Sequence, residues 1–201
     1  KYHHALLKAF GERPYLWATH VWNMFDFAAD ARDEGGVKGR NNKGLVTYDR
    51  KTKKDAFYLY QAYWSETPVL HIAGRRFADR APGEGTVTVY TNCPQVTLVV
   101  NGKEYATTAV TDHAAVFPEV PLQLGENTLT AVCGVISDTV TLNGVQTHNE
   151  SYDLPDLVSA LQAGNWFAEP EEQIDYGQDG YSIEMPMEQL FAEPRCLDLV
   201  K

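Results

Sequence analysis

The apolar rhythm of this chain changes near residue 67, so two kinds of structure are expected along it. Before that point, apolar residues recur at helical spacing or gather in one long run. After it they alternate with polar residues in short stretches set off by Gly, Asn, Asp and Pro.

In the first part, Ala5, Leu6, Ala9 and Phe10 form a helical stripe over Tyr2 to Phe10, and Gly11 follows where a helix would stop. The run LWATHVWNMFDFA (16–28) is aromatic, branched and nearly free of charge, which predicts a strand buried on both faces. A long Gly-containing loop is expected from Asp30 to about Gly44, then a short apolar piece, Leu45 to Tyr48. Asp55 to Trp64 places Phe57, Tyr60 and Trp64 on one helical face, and Pro68 lies beyond its end. Helix, buried strand, long loop, helix is the cadence of a β/α barrel.

In the second part, TVTVY (86–90), VTLVV (96–100), KEYATTAV (103–110), NTLTAV (127–132) and DTVTL (138–142) read as strands. Asn101-Gly102 between two of them predicts a type I′ hairpin, which needs positive φ at both central residues. The spacing of turn signals points to an immunoglobulin-like sandwich of roughly seven or eight strands. No Trp lies in this stretch, so an aromatic sugar platform is not expected on it. From His148 the strands end: residues 154–164 and 186–191 read as short helices bracketing an acidic loop, 169–180. That loop lacks the DxDxDG spacing of a calcium site, and no metal is expected.

The net charge of −10 is concentrated at the end, since residues 148–201 alone carry −10 while 1–66 carry +3. Such a field repels phosphate backbones and argues against nucleic-acid binding. No stretch reaches the roughly 18 apolar residues of a membrane span, and no signal-peptide core follows the amino end, so no membrane association is expected. The chain opens at Lys1 without Met, which suggests a piece of something longer. Cys93, Cys133 and Cys196 show no C-x-x-C spacing; free thiols are the default expectation, with a Cys93–Cys133 pair as the alternative, and the compartment leans slightly toward the cytoplasm.

There is no G-x-S-x-G elbow, Walker loop, H-E-x-x-H or G-x-G-x-x-G, and no cofactor is expected. His3 and His4 read as surface or packing residues, His20 as a core histidine, and His71 and His113 as surface. Asp49 and Arg50 are expected to pair with each other, and Asp26 to act as a buried acceptor holding a neighbouring loop, or as a group behind a ligand site. Arg32, Asp33, Glu34 and Gly35-Gly36 are expected in a mobile loop.

The stretches LWATHVWNMFDFAADARDEGG (16–36) and GRNNKGLVTYDRKTKKDAFYLYQAYW (39–64) resemble the last strand and last helix of the barrel in family 2 glycoside hydrolases, and RRFADR with TVTVYTNCPQVTLVVNGKE resembles an accessory sandwich appended in bacterial members. The resemblance implies an α+β multidomain fragment: the last β/α unit of a TIM barrel (1–66), an immunoglobulin-like β-sandwich (67–147) and a small acidic helical tail (148–201). It implies a retaining enzyme acting on terminal β-galactosides or β-glucuronides, with a carbohydrate as partner and a homo-oligomer as an option. Retention needs two carboxyl groups about 5 to 5.5 Å apart. In the family both glutamates lie on earlier strands, so none of Glu12, Glu34 or Glu66 is assigned and this stretch alone is expected to be inactive. Three residues carry over as substrate-binding: Trp22, matching the aromatic that lines the sugar subsite, and Asn41 with Lys43, matching the N-x-K pair that grips a uronate carboxylate. The alternative is a non-catalytic carbohydrate-binding or interaction module.

Overall fold

A computed structural model describes residues 2–34 and 37–153. They fall within one compact unit, Lys1–Ala163. The expected helices at 154–164 and 186–191 and the acidic loop lie outside the described residues.

Helix α1 (Tyr2–Gly11) forms as expected and turns one residue, Leu7, fully inward. Helix α2 (Asp55–Trp64) begins with an acid in its first turn, where a carboxylate suits the positive end of the helix. Its Leu59 and Tyr60 pack with Leu7 and Leu45 into a small core, bordered by Val21, Phe57, Tyr63 and Tyr90. The Tyr60 hydroxyl lies 3.2 Å from Nδ1 of His3, and burial lowers the His3 pKa and raises that of Tyr60.

Residues 16–28 do not form a doubly buried strand. From Leu16 to Met24 the chain forms neither helix nor strand and bends at Trp22 and Met24, and Trp17 is 95% exposed. The physical reason is the lack of neighbouring strands: among the described residues one parallel bridge, Phe25 to Val46, flanks it, and only Val21 and Asp26 of the run find cover. The expected loop 30–44 is instead largely an antiparallel hairpin, β1 (Phe27–Glu34) with β2 (Val37–Asn41), whose register shifts around Asp33. Arg32, Asp33 and Glu34 therefore sit on a strand. Too few branched residues mark it as one in the sequence.

The remaining strands are β3 (Leu70–Ile72), β4 (Asp79–Arg80), β5 (Val87–Thr91), β6 (Gln95–Val100), β7 (Lys103–Ala109), β8 (Ala114–Phe117), β9 (Gly125–Cys133) and β10 (Ile136–Gly144). They form a five-stranded sheet, β4-β10-β9-β6-β7, and a three-stranded one, β3-β5-β8. Alternate residues of both, among them Val87, Val89, Leu98, Phe117, Leu129 and Leu142, meet in one core, as period-two strands with one covered face require. Asn101 and Gly102 both have positive φ, 51° and 78°, at the β6–β7 turn, which fits the predicted hairpin. Asn127 is fully buried yet satisfied: its amide accepts from Gln123 N–H and Asn101 Nδ2 and donates to the carbonyls of Gln123 and Gly125.

Cys93 and Cys133 are joined as a disulfide with Cα atoms 6.7 Å apart, which corrects the expectation of free thiols. Pairing β6 with β9 brings the turn before one strand to the end of the other, a proximity invisible in sequence spacing.

Candidate functional site

A cleft of about 540 Å³ opens between the two helices and the segment 16–24. Tyr2 and His3 of α1, Tyr60 and Trp64 of α2, and His20 and Trp22 of that segment line it, and Lys43 closes one side. Trp22 is 69% and Trp64 62% exposed, so two indoles stand open to a ligand. The Trp64 ring lies 4.8 Å from that of buried Tyr60, so Trp64 carries the open aromatic face, which suits the C–H face of a sugar ring.

Lys43 reaches this cleft because its loop is tied down at several points. Asn41 is buried, and its side-chain Oδ1 accepts from the Lys43 backbone N–H at 3.0 Å. Gly44 N–H donates to Oδ1 of buried Asp26 at 2.9 Å, and Lys54 Nζ reaches both that oxygen, at 2.7 Å, and the Asn42 carbonyl, at 2.8 Å. Backbone bonds from Leu45 to Asn23, from Val46 to Met24 and from Asp26 to Val46 then lay residues 44–46 along 23–26. Trp22 and Lys43 thus leave adjacent, mutually bonded segments and line the same cleft. Asn41 lies beneath Lys43 rather than among the lining residues.

Several expectations change here. Asp26 is the buried acceptor foreseen for it. Asp49 does not turn to Arg50: it accepts from the Thr47 hydroxyl at 2.6 Å and from Lys51 N–H, which hold its carboxyl below its usual pKa. Arg50, at φ 66°, donates to the carbonyls of Asp26 and Tyr48 and lies over the Phe25 ring. His20 is exposed in the cleft rather than a core histidine, since its segment lacks covering strands. His71 is buried, not on the surface: it bonds Asp55 at 3.0 Å and stacks on Tyr58, so two α2 side chains cover it. Tyr60 and Trp64 were legible only as a packing face; five aromatic residues in a ten-residue helix exceed what one small core needs, and that surplus was the available signal.

A domain of unknown function, DUF4982, matches residues 83–138. A β-glucuronidase of Bacteroides fragilis is 45% identical over 131 residues, 63% of this chain and 18% of that protein. The crystal structure of an FMN-binding β-glucuronidase from Facaelibacterium prausnitzii L2-6 superposes with a TM-score of 0.72 at 54% identity, over 77% of this chain and 24% of that one. This chain is homologous to part of a β-glucuronidase or β-galactosidase. A Bacteroides uniformis β-glucuronidase, 34% identical with a TM-score of 0.65, is matched over 73% of this chain and 18% of its own. The chain spans about a quarter or less of the length of these glycosidase relatives.

Proposed function

We propose that this chain is the carboxyl-terminal portion of a retaining family 2 glycoside hydrolase that cleaves terminal β-glucuronides, with β-galactosides as the rival substrate class. Residues 1–66 close a TIM barrel whose earlier strands carry the glutamates, and 67–147 form an immunoglobulin-like sandwich. The observation that carries the reading is that Trp22 and Lys43 line one cleft. Trp22 supplies an apolar face to the sugar, Lys43 a charge for the uronate carboxylate, and Asn41 sets the turn that presents Lys43.

Lys43→Ala in the whole protein tests this. A charge-assisted contact is worth about 1.5–3 kcal/mol, so kcat/KM for a nitrophenyl β-glucuronide should fall roughly 10- to 150-fold, with the β-galactoside little changed. Unchanged glucuronide turnover would remove the carboxylate grip. Purified residues 1–201 should hydrolyse neither substrate.

A second reading is favoured by a separate groove. The Facaelibacterium relative is FMN-binding. This chain carries, apart from the Trp22 cleft, a groove of about 730 Å³ lined by lysines, arginines and aromatic rings together with Asp55 and Asp138, and its cations could receive the phosphate of a flavin. The whole protein is therefore read as a flavin binder as well as a glycosidase.

A further inference from the structure

The turn between β7 and β8 carries the chain from the five-stranded sheet to the three-stranded one, and it also meets both helices. Thr111 and Ala114 exchange backbone hydrogen bonds of 3.0 Å, closing a two-residue loop in which Asp112 and His113 both take positive φ, 48° and 61°. That is the backbone of a type I′ turn, and Asp and His are among the residues that tolerate it. The loop is tied to the sheets on either side: Thr91 N–H donates to the His113 carbonyl at 3.1 Å and Val110 N–H to the Pro94 carbonyl at 3.0 Å.

Held this way, the turn presents one main-chain oxygen to two helices. The Asp112 carbonyl accepts from His4 Nε2 of α1 at 2.7 Å and from the Tyr63 hydroxyl of α2 at 3.3 Å, as its two lone pairs allow. Around it, the Asp112 carboxylate lies 3.3 Å from Lys8 Nζ, the His113 ring 4.0 Å from that of Tyr63, and the His4 ring edge-on to Tyr90 at 6.5 Å. The ion pair is exposed and adds little by itself. His4 and Lys8, one helical turn apart, share a face of α1 distinct from the one on which Tyr2, His3 and Leu6 line the Trp22 cleft. On α2, Tyr63 is likewise outside the lining, while Tyr60 and Trp64 are part of it. The turn thus grips both helical walls of the cleft through side chains that do not line it.

We propose that Asp112, His113, His4 and Tyr63 are positioning residues, the turn setting the spacing of α1 and α2 and so the width of the cleft. The inference rests on the reading of that cleft as a sugar site, and it gives the sheets a share in substrate recognition without their touching substrate.

Steady-state kinetics of the whole protein on a nitrophenyl β-glucuronide test this, with Lys43→Ala run alongside to report on the cleft itself. His4→Phe keeps a ring against Tyr90 but has no donor for the Asp112 carbonyl, and Tyr63→Phe loses the hydroxyl alone. Each should raise KM, His4→Phe about fivefold for the loss of one hydrogen bond, with kcat changed less than about twofold. His4→Gln, whose side-chain amide can donate to the same carbonyl, should return KM to within about twofold of the parent. Thermal melting shows that the variants are folded. Unchanged KM in His4→Phe and Tyr63→Phe, beside lost turnover in Lys43→Ala, would overturn the positioning role and leave the sugar cleft standing, as would a His4→Gln variant no better than His4→Phe. Unaltered turnover in Lys43→Ala would overturn the cleft reading, and the positioning role with it.

Discussion

Oδ1 of Asp26 lies 2.7 Å from Nζ of Lys54, a pair that bridges 28 residues and fixes the loop carrying Lys43 to the segment carrying Trp22. The same oxygen accepts from Gly44 N–H, so one buried carboxylate organises both sides of the cleft. Removing one partner of a fully buried pair costs about 3–5 kcal/mol. Lys54 keeps 32% of its side chain exposed against 6% for Asp26, so the remaining charge finds water and about 2–3 kcal/mol is expected for Asp26→Ala. Urea denaturation of the whole protein, with KM for the glycoside as a second readout, checks this; an unchanged midpoint and KM would show that the pair does not organise the cleft.

Gly44 is constrained from the same side. A Cβ added there would sit 2.1 Å from Asp26 N and from the Phe25 carbonyl carbon, both backbone atoms that cannot swing away. Gly44→Ala should therefore push residues 44–46 off 23–26, costing about 2–4 kcal/mol and displacing Lys43. Thermal melting together with glucuronide turnover reads both effects. A variant that melts and turns over like the parent would mean that the two segments are not held this closely.

Which parts of this were legible in the sequence follows from the range of the forces involved. Helices α1 and α2, and the Asn101-Gly102 turn, are set by local spacing and local φ requirements, and they stand where the residues indicated. The stretch 16–25 was misread because an apolar run reports only that a face can be buried, whereas burial needs partner strands. His71 and the Cys93–Cys133 bond depend on contacts made across the fold, between α2 and β3 and between β6 and β9, which no local pattern encodes. Of the site, Trp22 and Lys43 came from a family resemblance rather than from spacing. Tyr60 and Trp64 needed the packing of α1 on α2 to show which side they face.

The disulfide closes a loop of 40 residues through the two β-sheets. Constraining the unfolded chain to that extent stabilises the fold by about 2–4 kcal/mol. Denatured without reductant, residues 1–201 should show one thiol reactive to Ellman's reagent, and three after reduction. Cys93→Ser/Cys133→Ser should lower the urea midpoint by the corresponding amount. Three reactive thiols before reduction would show the bond absent.

The stretch just after β10 is held by a histidine set between two acids. His148 Nδ1 lies 2.5 Å from Glu84 and Nε2 2.8 Å from Asp153, and these carboxylates, Glu84 first, raise the His148 pKa above its ordinary 6.5. Glu84 is held below its own usual value, first by the Ala81 N–H and then by His148. For a raised histidine the stabilisation is complete below about pH 6.5 and is lost as pH rises through the folded pKa. For the depressed Glu84 it is present above the ordinary value of 4.5 and lost as pH falls through the lower folded one. The clasp is thus strongest from mildly acidic to near-neutral pH and opens on the alkaline side. Two further bonds, Asn149 Nδ2 to Asp79 at 2.7 Å and Asp79 N–H to the Tyr152 hydroxyl at 3.1 Å, hold no ionisable cation, so residues 148–153 should loosen rather than detach. Hydrogen exchange of 148–153, corrected for intrinsic rate, should therefore quicken between pH 6 and 9 in the parent and be pH-independent in His148→Phe. A His148 imidazole titrating at or below 6.5 by NMR would contradict the clasp.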